Sequence, residues 1–188
     1  MAHGKPDAPG GAASREAGSR RVLFICAANT ARSIIAEHLL RRELHARGAA
    51  GSIEIRSAGI APYARDGALV SLDTRMTLKS VGIDIGEEAA STDLKRHPEM
   101  LEEADLVLAM TVAQERDLLE RFPAAAARAV FTLRAFAGEA GDIDDPFEQG
   151  HEVFDLCRDE IGRLIPRVAD RLLGDDEDDW RKSSRGLN

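Results

Sequence analysis

The amino-acid sequence predicts an α/β fold with a mostly parallel sheet that helices cover on both faces. Short apolar runs, typical of buried strands, alternate along the chain with longer segments that have helical spacing. The 188 residues fit one domain, and we find no internal repeat. Hydrophobic residues make up 44% of the chain and aromatic residues 4%, which favours aliphatic packing between helices and a sheet.

The first half of the chain contains two strands and two helices. Residues 22–25, Val-Leu-Phe-Ile, form a short apolar run of the buried-strand type. Residues 33–47 place their apolar side chains on one helical face. Residues 53–55 begin a second strand, and a helix is predicted near residues 68–80, ended by Gly82.

The second half repeats the alternation with a longer loop. The predicted elements are a third strand at 105–109, a helix at 112–121 that stops before Pro123, a fourth strand at 130–132, a loop at 138–150 and a last helix at 151–173. Ligands of such sheets bind at the carboxyl ends of the strands. The first of these ends lies at Cys26, which directs attention to the residues that follow it.

The two ends of the chain are predicted to be tails on a domain that spans residues 20–173. Residues 1–19 are rich in Gly, Ala and Pro and have few large apolar side chains, which predicts a flexible segment. Residues 174–188 carry the acidic run Asp175 to Asp179, which we interpret as a solvated tail.

Charge and hydropathy exclude several partners and cofactors. The formal net charge is −8 and no basic stripe is present, which argues against nucleic acid. No apolar run reaches the roughly 18 residues that cross a bilayer, and no signal-peptide block precedes the domain, so we predict no membrane partner and a cytoplasmic location. Cys26 and Cys157 are too few for a disulfide framework or a four-thiolate zinc site. The five histidines lack metal-ligand spacing, so no metal or other cofactor is predicted.

Residues 26–33, Cys-Ala-Ala-Asn-Thr-Ala-Arg-Ser, join the first predicted strand to the first helix. A loop that enters a helix N-terminus aims backbone N–H groups at one point, which suits a phosphate dianion. Arg32 can grip two phosphate oxygens with its planar fork. The same positive surroundings favour a nucleophilic thiolate at Cys26. Alone, a cysteine at a strand end would be a small buried hydrophobe, but its neighbours predict a phosphate-binding loop.

Further residues support this interpretation. Ser33 can donate a hydrogen bond to the Cys26 sulfur, and Asn29 suits a left-handed backbone conformation in the loop. Phosphoryl transfer also needs an acid for the leaving group and a base for water. Asp145, restrained by the proline that follows it, is one candidate; Asp144 is another that spacing leaves open. The phosphate-binding residues are predicted to be Ala27, Ala28, Asn29, Thr30, Ala31, Arg32 and Ser33.

With these residues, the chain resembles the low-molecular-weight protein tyrosine phosphatases, whose loop reads Cys-x-Gly-Asn-x-Cys-Arg-Ser and is followed later by Asp-Pro. The likeness runs from about residue 21 to residue 173. It includes Ser57-Ala58-Gly59, the segment 104–111 and Asp145-Pro146-Phe147. The resemblance implies a single-domain three-layer α/β/α fold with a four-stranded parallel sheet, and no metal.

The same resemblance implies the roles of the site residues. Cys26 would be the nucleophile that forms a phosphocysteine intermediate, Arg32 the phosphate clamp and Asp145 the general acid, with Asn29 and Ser33 as loop supports. The substrate would be a phosphorylated protein or peptide, and inorganic phosphate would be the product.

Within the family the chain is most similar to the bacterial protein arginine phosphatases. Thr30 stands where tyrosine-specific relatives usually have a bulkier Ile or Leu, and Phe147 follows Asp-Pro where many of them have Tyr. These residues favour phosphoarginine over phosphotyrosine as the substrate. Tyr63 is the third predicted specificity residue, either as a wall of the substrate cleft or as a plain surface side chain.

Two loop residues depart from the family pattern. Ala28 replaces the family glycine, which strains the loop only if its φ is positive. Ala31 replaces the second loop cysteine, which in relatives forms a protective disulfide with the nucleophile, so we predict greater sensitivity to peroxide.

Three other functions are consistent with parts of the sequence. One is a tyrosine-specific phosphatase of the same family. Another is a phosphate-binding pseudophosphatase, which Ala28 and Ala31 would suit. The third is arsenate reductase, which needs a further pair of cysteines to relay a disulfide, whereas only Cys157 is present and its spacing predicts burial.

Overall fold

The computed structural model describes residues 20–174. The four strands are β1 Arg20–Cys26, β2 Ile53–Gly59, β3 Leu106–Ala109 and β4 Ala129–Thr132. The helices are α1 Arg32–Ala46, α2 Leu72–Ser80, α3 Pro98–Glu103, α4 Val112–Arg121, α5 Leu133–Phe136 and α6 His151–Leu173, with a 3₁₀ turn at Pro123–Ala127.

The strands form one parallel sheet in the order β2-β1-β3-β4. Val22 of β1 pairs with Ile55 of β2 on one side and with Leu106 of β3 on the other. On β3, Leu106 pairs in turn with Ala129 of β4. The predicted four-stranded parallel sheet is therefore confirmed, with β1 in its interior and the end of β1 beside those of β2 and β3.

The core has two layers because successive side chains of a strand point to opposite faces of the sheet. Val22 and Phe24 belong to the cluster that includes the buried faces of α1 and α6. Leu23 and Ile25 belong to the cluster on the other face, which includes Leu118 of α4. Both faces of β1 are thus covered, which explains its continuous apolar run.

Helix α2 is shorter than the sequence predicts. Residues 68–70 do not begin the helix but pair with residues 89–91: the Val70 N–H donates to the Ala89 carbonyl at 2.9 Å, and the Ser91 N–H to that of Ala68 at 2.8 Å. The helix begins after Ser71, whose hydroxyl accepts from the Thr74 N–H at 3.2 Å. The predicted start near residue 68 is therefore wrong, because long-range pairing competes with helical spacing.

Three short elements were not predicted from the sequence. They are α3, the 3₁₀ turn at Pro123–Ala127 and α5, which have six, five and four residues. Segments of this length complete too few turns to display helical periodicity. For α5 a capping signal was present, since the Thr132 hydroxyl accepts from the Ala135 N–H at 3.1 Å.

The predicted tails at residues 1–19 and 174–188 lie outside the described residues, apart from Gly174. Their boundaries with the domain stay predictions. None of the helices in the described part of the chain is long and apolar enough to cross a membrane.

Candidate active site

The Cys26 thiol lies at the carboxyl end of β1, as the last residue of the strand. The sulfur is 3.0 Å from the Ser33 hydroxyl oxygen and accepts a hydrogen bond from the Asn29 N–H at 3.2 Å. Ser33 lies in the first turn of α1, which begins at Arg32 directly after the loop. The Cys26 sulfur is thus held between a hydroxyl, a backbone N–H and the N-terminus of a helix.

Asn29 connects the loop to the neighbouring strand. Its φ is 59°, the left-handed conformation that the sequence predicts. Its side-chain amide donates to the hydroxyls of Ser33, at 2.9 Å, and Ser57, at 2.8 Å. The amide oxygen accepts from the Thr92 N–H at 2.8 Å. The buried amide thus fixes the loop against two other segments.

Ala28 and Ala31, the two loop residues that depart from the family pattern, do not adopt a left-handed backbone conformation. Among the non-glycine residues described, only Asn29 and Glu148 have positive φ, so Ala28 stands where no left-handed conformation is needed. Close packing instead requires a glycine at the end of β2. A Cβ added to Gly59 would lie 2.8 Å from the Ala28 carbonyl carbon and 2.9 Å from the Ala27 carbonyl oxygen.

Arg32 and Asp145 form an ion pair across the site. Arg32 is buried, and its other terminal nitrogen donates to the Ile143 carbonyl at 3.0 Å. The Asp145 side chain is 47% exposed, and its second carboxylate oxygen accepts from the Phe147 N–H at 3.2 Å. The loop that carries the predicted acid is therefore tied to the predicted phosphate clamp.

A cavity of about 390 Å³ opens above the Cys26 sulfur. The loop residues from Cys26 to Arg32, except Asn29, line it, together with Tyr63, Asp145 and Phe147. The structure thus brings the three residues predicted as catalytic to one cavity, and the three predicted for specificity, including Thr30, line the same space. Asp144, the other candidate for the acid, is exposed and does not line the cavity.

Comparisons with known proteins agree with this geometry. The family model of the low molecular weight phosphotyrosine protein phosphatases matches residues 21–177. A protein-arginine-phosphatase of Geobacillus stearothermophilus is 39% identical over 81% of this chain and 95% of its own length. Another, of Bacillus subtilis, is 30% identical over 82% of this chain and 97% of its own. The crystal structure of a low molecular weight protein tyrosine phosphatase from T. tengcongensis superposes with a TM-score of 0.71, at 35% identity over 81% of this chain and 99% of that one.

The chain belongs to the low molecular weight phosphotyrosine protein phosphatase family. Membership confirms the predicted fold and the predicted class of enzyme, a cysteine-based protein phosphatase that hydrolyses phosphoryl groups. Phosphorylated protein as substrate and phosphate as product follow from this class.

Several residues that organise this phosphatase loop were not identified from the sequence. The Ser57 hydroxyl, besides accepting from Asn29, donates to the Glu37 carboxylate at 2.5 Å. The Thr30 carbonyl accepts from the Ser71 N–H at 3.2 Å and from the Thr74 hydroxyl at 3.0 Å. Glu37 lies one helical turn after Ser33, a spacing that could have indicated its position. The other contacts join segments distant in sequence, and no local pattern reveals them.

Cys157 belongs to the core of the phosphatase domain, as its spacing predicts. It is 5% exposed, and burial raises the pKa of its thiol to about 12. A thiol held neutral in this way is a poor partner for disulfide exchange, which argues against the relay that arsenate reductase needs.

Within residues 20–174, no three His, Cys, Asp or Glu side chains come together as a metal site.

Proposed function

We propose that the protein hydrolyses phosphoarginine in proteins or peptides through a phosphocysteine formed on Cys26. One observation carries this proposal: the Cys26 thiol, the N-terminus of α1, the buried guanidinium of Arg32 and the carboxylate of Asp145 all lie at one cavity. Each group supplies one requirement of phosphoryl transfer: nucleophile, anion binding, charge compensation and proton transfer.

In the first step the Cys26 thiolate attacks phosphorus, so that an S–P bond forms while the P–N bond to the arginine side chain breaks. The electron pair of the P–N bond leaves with the guanidino nitrogen, to which Asp145 gives a proton. Arg32 and the backbone N–H groups of the loop hold the phosphoryl oxygens. The products of this step are an unmodified arginine side chain and the phosphoenzyme.

In the second step water attacks the phosphorus and the S–P bond breaks. Asp145, now ionised, takes a proton from the water. The electron pair of the S–P bond returns to the Cys26 sulfur, where the Ser33 hydroxyl, 3.0 Å away, stabilises the thiolate. Inorganic phosphate then leaves the cavity, and the resting thiolate is restored.

The ion pair of Arg32 with Asp145 supports the assignment of the acid. It holds the carboxylate beside the group that would clamp the phosphate, at the cavity that Cys26 also lines. Asp144 has an exposed side chain and makes no such contact among the interactions described. Asp145 is therefore the acid we propose.

Thr30 supports phosphoarginine as the preferred substrate. Thr30 lines the cavity, and a larger Ile or Leu at this position would take up space that the substrate side chain needs. The two relatives named protein-arginine-phosphatase cover more than four-fifths of this chain. A second candidate is phosphotyrosine, which the exposed rings of Tyr63 and Phe147 would hold from two sides.

Matched phosphoarginine and phosphotyrosine peptides distinguish these substrates. We expect kcat/KM to be at least about tenfold higher for the phosphoarginine peptide, and the Thr30→Ile variant to reduce this ratio at least about tenfold, since one pocket side chain discriminates on this scale. Phosphate release is measured against Cys26→Ser as the blank. A preference for phosphotyrosine in the unmodified protein contradicts the substrate assignment, and release from neither peptide favours a binding module without turnover.

A cytoplasmic location is part of this proposal. A reactive thiol persists in a reducing compartment, whereas an oxidising one converts it to other forms.

The absence of a second loop thiol leads to a prediction about oxidation. After prolonged peroxide treatment, less than about a tenth of the activity should return with dithiothreitol, because a sulfenic acid without a resolving thiol proceeds to irreversible states. The Ala31→Cys variant should recover most of its activity under the same treatment. Cys157→Ala serves as the control and should behave like the unmodified protein, since the Cys157 thiol is buried. Full recovery of the unmodified protein contradicts this prediction.

A further inference from the structure

Four large apolar side chains are exposed on residues that line the cavity or directly follow a lining residue. Tyr63, Leu69, Leu72 and Phe147 are 60% to 68% exposed, and we call them the apolar rim. Tyr63 and Phe147 line the cavity, and each of the two leucines directly follows a residue that lines it. The proposed chemistry uses neither leucine.

The backbone beneath Tyr63 is held in place. The Ala64 N–H donates to the Ala61 carbonyl at 3.0 Å and closes the turn that presents the ring. The Lys95 ammonium group donates to the same Ala61 carbonyl at 2.7 Å and to the Ala64 carbonyl at 3.2 Å. It also pairs with the buried Asp93 at 2.7 Å.

The two leucines also stand on fixed backbone. Leu69 forms an antiparallel bridge with Ala90, so the segment that carries it is hydrogen-bonded on both sides. Leu72 follows Ser71, whose N–H donates to the Thr30 carbonyl of the phosphate loop at 3.2 Å. The leucines are thus placed relative to the nucleophile loop by hydrogen bonds and not by a mobile linker.

We propose that the apolar rim binds a large apolar side chain adjacent to the phosphorylated residue of the substrate, an inference that rests on the proposed function. Exposed apolar groups clustered at one place mark a binding surface. The phosphorylated side chain must enter the cavity that Tyr63 and Phe147 line, so the polypeptide that carries it passes over the surface beside them. The continuity of the rim with the cavity therefore identifies the substrate chain as the occupant.

This assignment also limits the kind of segment that can serve as substrate. Large apolar side chains are mostly buried in folded proteins. A segment that offers one beside its phosphorylated residue is therefore an exposed loop, a terminus or a stretch that is unfolded in the partner.

Two phosphoarginine peptides of equal length and charge test the proposal, one with leucine and one with serine on both sides of the phosphorylated residue. We expect kcat/KM to be roughly tenfold higher for the leucine peptide, as the burial of additional apolar surface predicts. In the double variant Leu69→Ser/Leu72→Ser this ratio should fall to about two or less. Leu119→Ser, on α4 and 45% exposed, is the matched control and should retain the ratio. Equal kcat/KM for the two peptides, or an unchanged ratio in the double variant, overturns the proposal.

A binding measurement separates this proposal from the proposed function. The same two peptides, and phosphotyrosine peptides with the same flanks, are titrated onto Cys26→Ala, which binds without turnover. Tighter binding of the leucine peptides supports the rim whichever phosphorylated residue the enzyme prefers. Equal dissociation constants within each pair overturn the rim proposal even where hydrolysis of phosphoarginine is observed, whereas failure to hydrolyse phosphoarginine overturns only the substrate assignment.

Discussion

Replacement of Cys26 by serine is expected to lower kcat for phosphopeptide hydrolysis by about 10⁴-fold or more, the scale on which loss of a nucleophile acts. Serine keeps the size of the side chain and its contacts with Ser33 and the Asn29 N–H, so the loop should stay intact. A neutral hydroxyl, however, is a weak nucleophile, and an alkoxide is a poor leaving group in the second step. The affinity for inorganic phosphate should therefore change by less than about threefold while turnover is lost.

Cys157→Ala is the matched control for this prediction. Cys157 is the other cysteine of the chain, and its side chain packs in the core. Its removal leaves a small cavity that lowers stability by about 1–2 kcal/mol, so kcat is measured well below the unfolding temperature. We expect kcat within about threefold of the unmodified protein. Substantial turnover in Cys26→Ser, or an equal loss in Cys157→Ala, contradicts the role of Cys26.

Replacement of Asp145 by asparagine is expected to lower kcat for a phosphoarginine peptide by about 10²- to 10³-fold, the usual contribution of general acid–base catalysis. Asparagine keeps the side-chain oxygen that accepts from the Phe147 N–H, but it cannot give a proton to the departing nitrogen. With p-nitrophenyl phosphate, whose leaving group needs no proton, formation of the phosphoenzyme should be much less affected.

Asp144→Asn is the control for the acid because it makes the same chemical change at the adjacent residue. Asp144 is exposed and does not line the cavity, so we expect a change in kcat of less than about threefold. Loss of the ion pair with Arg32 is a separate effect of Asp145→Asn. Because it removes a negative charge beside the phosphate clamp, it would appear as stronger inhibition by inorganic phosphate. A larger loss in Asp144→Asn than in Asp145→Asn contradicts the assignment.

Much of the fold could be predicted because parallel strands that are buried on both faces consist of consecutive apolar residues. Residues 22–25 are covered on both sheet faces and show no alternation, and the last helix shows its apolar face over all of His151–Leu173. The start of α2 could not be predicted in this way. The pairing of residues 68–70 with residues 89–91 depends on a contact between distant segments, which outweighs local spacing.

The phosphate loop could be located for a similar reason: its residues are contiguous. Cys26, Asn29 and Arg32 lie within one turn between a strand and a helix, so the spacing alone places them together. The supports of the loop come from elsewhere. Ser57 and Thr92 reach Asn29 across 28 and 63 residues of sequence. Ser57 belongs to a segment that the family resemblance includes, but no local pattern indicates that either residue binds Asn29.

The apolar rim was only partly visible in the sequence. Tyr63 was predicted as a specificity residue from its place in the loop after Ser57-Ala58-Gly59, and Phe147 from the resemblance to the arginine phosphatases. Leu69 and Leu72 were instead counted within a predicted helix, where an apolar residue is expected to face the core. Their exposure follows from the late start of α2 and the bridge at Leu69, which only the three-dimensional arrangement reveals.

Trapping of the phosphoenzyme tests the central claim most directly. Asp145→Asn is mixed with p-nitrophenyl phosphate, quenched in denaturant within milliseconds, digested with trypsin and analysed by mass spectrometry. This substrate forms the intermediate without an acid, while its hydrolysis lacks the base, so the intermediate should accumulate. We predict one phosphoryl group on the tryptic peptide 22–32, which contains Cys26, and none on that peptide in Cys26→Ala. A phosphoryl group on another peptide, or phosphate release with no modified peptide, would contradict the mechanism.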